Sequence, residues 1–188
     1  MNTKTVAVIV VFAALAIALN LSPIKIPAPY APYLIYQIWE IPIVIAFLLF
    51  GAVAGVLITV VNTLALFAFF PGALPSGPLY NLIAIFSMLI GVYIGRRFFT
   101  REAVQEKAVL KIAAASTVLG MALRIAVMTV VNYTTLRQGY PIGFGMDELA
   151  ILAFLPLAAL FNGTTVLYTV PVGEFIASAV KSRLKLKS

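Results

Sequence analysis

Polar side chains inside apolar segments are the residues of this sequence that could bind a ligand. They are one acidic residue and three amides: Glu40, Asn81, Asn132 and Asn162. Four aromatic residues lie close to the acidic residue in the chain: Tyr30, Tyr33, Tyr36 and Trp39. By count, all of these residues fall in the same half of the apolar segments. Because buried polar groups in lipid must face the protein interior or water, the pattern predicts a cavity for a small, partly aromatic, hydroxylated ligand.

A structural role is the alternative for both groups. Tyrosines and tryptophans form belts at membrane interfaces, and asparagines form hydrogen bonds between transmembrane helices.

Arg124 lies near the middle of an apolar segment by count, so its charge requires a partner. Glu40 is one candidate, and a ligand with an anionic group or a carbonyl is another. The side chain could instead snorkel or bond backbone carbonyls. Glu174, near the opposite end of its segment, is expected to pair with a basic residue at the interface and has no ligand role. The candidate partners are Arg96, Arg97 and Lys181.

The composition excludes most enzyme chemistry. The 188 residues include no Cys and no His, so thiolate and imidazole metal sites and the usual general base are missing, and we expect no metal site. Because the sequence has no Walker loop, G-x-S-x-G motif or paired carboxylates, we expect neither an enzyme nor ATP hydrolysis. Only 10% of the residues are charged and 63% are hydrophobic, with a mean hydropathy of +1.09. Soluble domains carry about 25% charged residues, so this surface must face lipid.

Six apolar segments predict an all-α integral membrane protein, a single domain (1–188) of six transmembrane helices. The approximate segments are residues 5–21, 38–50, 52–70, 79–94, 109–131 and 149–179. The proline-rich stretch 22–33 cannot continue the first helix, because Pro fixes φ and lacks an N–H donor, so we expect an ordered or extended loop. Gly51 and Gly55 predict a tight turn after a short second helix.

The basic residues predict that both termini are cytoplasmic. Most of them lie at the termini or around the fourth connection: Lys4, Arg96, Arg97, Arg101, Lys107, Lys111, Lys181, Arg183, Lys185 and Lys187. In a bundle of six spans these positions share one side of the membrane, whereas Lys25 and Arg137 lie on the other. By the positive-inside rule, the basic side is cytoplasmic. This topology explains the net charge of +7 without a nucleic-acid partner.

Small residues recur at a spacing of four and allow helix backbones to approach closely. The pairs are Ala14 and Ala18, Gly51 and Gly55, and Gly91 and Gly95. Packing within the bundle is one explanation for all three pairs. The alanine pair in the first helix could instead dock a partner protein, and the sequence leaves the two explanations open.

With these motifs in this order, the chain resembles the S components of energy-coupling-factor (ECF) vitamin transporters. The matching segments are FAALAIAL, the proline-rich loop, and YQIWEIPIVIAFLLFGAVAG with its acidic residue, Pro and G-x-x-x-G. LRIAVMTVVNY and LPLAALFNGTTV are most similar to the riboflavin-binding branch. The resemblance implies a vitamin-binding subunit in a prokaryotic cell membrane that binds riboflavin from outside, with no cofactor besides this transported ligand. It also implies a transmembrane coupling protein and two cytoplasmic ATPase subunits as partners.

Asn132, Asn162 and Glu40 match the riboflavin-type pattern, and Thr165 departs from it. Proteins of that type tend to have Lys three residues after the Asn of helix six. A threonine hydroxyl can bind a ribityl chain but supplies no cation. An S component for another vitamin or precursor, or an autonomous carrier or channel, therefore stays an alternative. The expected ligand-binding residues are Tyr33, Tyr36, Trp39, Glu40, Asn81, Arg124, Asn132, Asn162 and Thr165, and the expected docking residues are Ala14 and Ala18.

Overall fold

The computed structural model describes residues 3–69, 72–99 and 106–184. In chain order the elements are α1 (Thr3–Leu21), β1 (Ile26–Ala28), β2 (Ala31–Tyr36), α2 (Glu40–Phe50), α3 (Ala52–Phe69), α4 (Gly77–Phe99), α5 (Glu106–Thr135) and α6 (Glu148–Leu184). Each predicted apolar segment corresponds to one helix. Residue 70, the loop around Arg101, the side chain of Lys107 and the last two lysines lie outside the described part.

Four of the described helices are long and apolar enough to cross a membrane: Ala52–Phe69, Gly77–Phe99, Leu110–Thr135 and Glu148–Arg183. The second helix is short, as predicted, with 11 residues. At 1.5 Å per residue it extends about 16 Å, roughly half of a hydrocarbon core of about 30 Å. The chain is therefore a multi-pass membrane protein, and the count of six full spans stays a prediction.

The proline-rich connection after α1 is an antiparallel β-hairpin, and the sequence predicted only an ordered or extended loop. Ile26 pairs with Tyr36 and Pro27 with Ile35, and a shift in register follows Pro27. Because Pro prevents a helix here, pairing between the two strands supplies hydrogen bonds for the backbone N–H and C=O groups instead. The fold is thus an all-α bundle with one small hairpin.

Three connections meet at one end of the bundle, which we call the hairpin end. The Ser76 Oγ, between α3 and α4, donates to the Ile142 carbonyl, between α5 and α6, at 2.8 Å. The Tyr80 hydroxyl donates to the same carbonyl. In the hairpin, the Tyr36 hydroxyl lies 2.5 Å from the Thr164 hydroxyl of α6.

Glycine pairs explain how closely the helices pack. Gly51 ends α2 with φ of 92°, which other residues rarely adopt, so it makes the predicted tight turn into α3. A Cβ on Gly95 would lie 2.8 Å from the Ser116 Cα, and a Cβ on Gly91 would overlap the Leu119 carbonyl. Packing of α4 against α5 therefore accounts for this pair.

At the opposite end, which we call the Arg96 end, the Arg96 Nη1 lies 2.6 Å from the Glu174 Oε1. This ion pair joins α4 to α6. It confirms one of the three partners that the sequence offered for Glu174.

Candidate ligand-binding site

A buried ion pair joins α2 to α5 beneath the hairpin. The Arg124 Nη1 and Nη2 lie 2.5 and 2.9 Å from the two carboxylate oxygens of Glu40. Such a fork places two charge-assisted hydrogen bonds in one plane. Arg124 and Glu40 are 4% and 5% exposed, so water barely reaches the pair. The predicted partnership of Arg124 with Glu40 is confirmed.

Asn162 of α6 belongs to the same network. Its Oδ1 accepts a hydrogen bond from the Arg124 Nε at 2.9 Å, and its Nδ2 donates to the Ala158 carbonyl at 2.8 Å. These two bonds fix the orientation of the amide. Since an amide oxygen accepts twice and its nitrogen donates twice, Asn162 keeps one acceptor site and one donor for a further partner.

Asn132 lies two helical turns beyond Arg124 on α5 and is 8% exposed. Within the described part of the chain its amide makes no hydrogen bond to protein. Thr165 is 3% exposed, and its hydroxyl donates to the Phe161 carbonyl at 2.8 Å. Thr165 therefore offers only lone pairs to another group, whereas Asn132 offers both donors and acceptors.

The hairpin is fastened to α6 by Tyr36. Its ring stacks on Phe161 with centroids 4.9 Å apart, and its hydroxyl lies 2.5 Å from the hydroxyls of both Tyr30 and Thr164. Burial raises the pKa of the Tyr30 phenol, and the hydrogen bond to Tyr36 raises it further. The Tyr30 phenol thus stays a neutral hydrogen-bonding group near neutral pH.

Two cavities lie at the hairpin end. The larger, of about 600 Å³, is apolar and is bounded by the hairpin, the α5–α6 connection and the start of α6. Its lining includes Leu136, Phe144, Met146 and Phe154. The smaller, of about 410 Å³, has a mixed lining that includes apolar residues such as Leu66 and Phe161. We call it the polar cavity because Asn20, Lys25, Gln37 and Asn81 also line it. Tyr33 and Leu34 line both cavities, so the two cavities adjoin at β2.

The structure distributes the predicted residues over these features. Glu40, Arg124 and Asn162 form one network, Tyr33 lines both cavities, and Asn81 lines the polar one. Tyr36 holds the hairpin. Trp39 is 4% exposed and packs in the apolar core, because it immediately precedes α2 and turns inward with that helix.

Several lining residues were not predicted. Leu136, Phe144 and Met146 carry no chemical signal in an apolar sequence, and only the fold places them together. Asn20 ends an apolar helix and could have been found as another polar residue in the same half of the bundle.

Ala14 and Ala18 lie on an exposed face of α1, whereas Ala13 and Ala16 are buried at 3% and 0%. The alanine pair therefore does not pack within the described bundle. A small-residue face remains open to the membrane or to another protein.

Comparison with known proteins places the chain in a family. No protein-family model matches it. It is 30% identical over 136 residues to the riboflavin transporter RibU of Staphylococcus aureus (strain TCH60), which covers 72% of this chain and 67% of the relative. The chain belongs to the family of this riboflavin transporter.

A solved structure shows the same fold. The S component of a bacterial ECF transporter superposes with a TM-score of 0.75 at 24% identity, over 99% of this chain and 100% of that one. Its family and its fold together make this chain a membrane transporter protein with the S-component fold, and it is not an enzyme.

Proposed function

We propose that this S component captures riboflavin in the two cavities at the hairpin end. Riboflavin joins a flat, largely apolar ring system to a hydroxylated ribityl chain. The apolar cavity of about 600 Å³ suits the ring, and the polar cavity of about 410 Å³ suits the chain. The observation that carries the proposal is that Tyr33 and Leu34 line both cavities, so that one ligand can reach both. The similarity to a riboflavin transporter supports the same ligand.

Asn132 lines neither cavity but lies one helical turn from Leu136, which lines the apolar one. In this proposal it binds the ligand directly, because its amide has no hydrogen-bond partner among the described residues. Asn81 binds from the polar cavity. Asn162 and Thr165 also line neither cavity, but both lie within one turn of Phe161, which lines the polar one. In this proposal Asn162 contributes its remaining donor and acceptor, and Thr165 contributes a lone pair. Arg124 and Glu40 hold Asn162 in the orientation that leaves those groups available.

Delivery requires partners and an orientation. The cations at the Arg96 end favour a cytoplasmic location for that end and for both termini, so the hairpin end opens outward in a prokaryotic cell membrane. A transmembrane coupling protein docks on the Ala14 and Ala18 face, and two cytoplasmic ATPases supply the energy. The sequence of this chain contains no nucleotide-binding motif, in agreement with ATP hydrolysis by separate subunits.

Riboflavin binding by purified variants tests the ligand site. Asn132→Leu should weaken binding by about 5- to 150-fold, because the unpaired polar group of the ligand costs about 1–3 kcal/mol. Thr134→Val is the matched control, since Thr134 lies on the same helix and is exposed with its hydroxyl bonded to its own helix. Equal affinity of Asn132→Leu and the control would refute the proposed site. Binding of a different vitamin in preference to riboflavin would refute the ligand.

Cysteine labelling tests the orientation, and no native cysteine interferes. Cysteines substituted at Lys25 and Arg137 should react with an impermeant thiol reagent in intact cells, and one at Arg183 should not. The reverse pattern would invert the topology. Uptake by liposomes that contain this chain alone would favour an autonomous carrier.

A further inference from the structure

A third concave surface lies away from the hairpin end, between the α2–α3 turn and α4. This groove has a volume of about 340 Å³ and an apolar lining. Its floor is sealed by Phe47 and Leu89, which are 7% and 3% exposed. Its walls are the exposed side chains of Val56, Ile90 and Tyr93.

The groove follows α4 from Phe86 to Tyr93. The seven helical steps between these two residues extend about 10 Å, or a third of a hydrocarbon core of about 30 Å. Its length and apolar lining therefore suit a segment of hydrocarbon chain running along the helix.

Polar donors meet at the end of the groove nearer the Arg96 end. The Arg97 Nη1 donates to the Tyr93 hydroxyl at 3.2 Å. Because that hydroxyl accepts from Arg97, its own proton stays available to donate. The other guanidinium N–H groups of Arg97 have no carboxylate partner among the described side chains. Two donors thus converge where the apolar lining ends.

Among the described side chains at this end of the bundle, basic groups outnumber acidic ones. Among the side chains that the structure describes there, Glu174 is the acidic one, and Arg96 pairs with it at 2.6 Å. The other described cations at this end are Arg97, Lys111, Lys181 and Arg183. An anion from outside the chain would complement them.

We propose that the groove binds one anionic phospholipid. One acyl chain lies between α2, α3 and α4, and the Arg97 guanidinium and the Tyr93 hydroxyl hold the phosphate. Guanidinium matches the geometry of phosphate oxygens, and basic residues at a membrane surface attract anionic headgroups. The order along α4, from apolar groove to phenol to guanidinium, matches that of a lipid from chain to headgroup.

Native mass spectrometry of the purified chain with dioleoylphosphatidylglycerol or dioleoylphosphatidylcholine tests the proposal. The first phosphatidylglycerol should bind about five-fold more tightly than the first phosphatidylcholine, which is the effect expected of one basic residue near the headgroup. Arg97→Gln should abolish this preference. Arg183→Gln, which removes an exposed cation from the same end, should leave it unchanged.

Filling the groove tests the acyl-chain site separately. Val56→Trp should weaken the first binding event for both lipids, whereas Leu64→Trp, on an exposed position of α3 outside the groove, should not. Equal loss of preference in Arg97→Gln and Arg183→Gln would show diffuse charge attraction and overturn the site. If Val56→Trp leaves lipid affinity unchanged but prevents copurification with the coupling protein, the groove is a protein contact instead. The Arg97→Gln result stands even if the tryptophan variant folds poorly.

Discussion

Removing Arg124 should destabilise the protein far more than removing an exposed arginine. Arg124→Met leaves the Glu40 carboxylate in a site where its side chain is 6% exposed, with both former hydrogen-bond donors gone. Breaking a buried ion pair in this way costs about 3–5 kcal/mol. Arg137→Met is the matched control, because Arg137 and Glu148 are 40% and 53% exposed and such pairs contribute about 0–1 kcal/mol.

The free energy of unfolding, measured by titration with SDS in mixed micelles, gives both values. Glu40→Gln should also destabilise, since it leaves Arg124 buried without a counter-charge. The double variant Glu40→Gln with Arg124→Met should lose much less free energy of unfolding than the two single variants together, because neither buried charge is then left unpaired. Strict additivity, or equal losses for Arg124→Met and Arg137→Met, would refute the assignment of a buried, coupled ion pair.

Three further predictions concern single residues. Thr165→Lys should lower the stability of the parent, because it adds a second buried cation one helical turn from Asn162 while Arg124 already pairs with Glu40. The same change should be better tolerated in an Arg124→Met background, where the Glu40 carboxylate is free to pair with the new lysine. Thermal unfolding in detergent compares the two backgrounds, and equal losses of stability would contradict this competition for Glu40. Ala14→Trp and Ala18→Trp should block cellular uptake while the purified variants bind riboflavin normally, and parallel loss of binding would show that the face packs within the bundle instead. Asn62 is 1% exposed, and neither of its amide atoms has a hydrogen-bond partner among the described residues. Asn62→Leu should therefore raise the free energy of unfolding of the ligand-free protein by about 1–3 kcal/mol, and a decrease would show that the amide is paired.

The helices and the ion pair between Arg124 and Glu40 could be predicted from the sequence, because each depends on few residues. Apolar length sets the helices, and a charge in the middle of the membrane needs a counter-charge. Arg124 had few candidates, and Glu40 was one of them. Likewise, Glu174 could pair only with the basic residues near its own end.

The shape of the site could not be predicted, because it depends on long-range packing. Proline showed that residues 22–33 leave the helix, but pairing of Ile26 with Tyr36 depends on both strands and their contacts with α6. The inward position of Trp39 follows from the way α2 enters the bundle. Leu136 and Phe144 line the apolar cavity only because two distant connections meet there.

The central claim, that this S component binds riboflavin, is tested most directly by the visible absorbance of the protein purified from flavin-containing cells. We expect a yellow protein that carries close to one flavin per chain and that regains this ratio when stripped protein is incubated with riboflavin. A colourless, correctly folded protein that leaves the fluorescence of added riboflavin unchanged would contradict the claim.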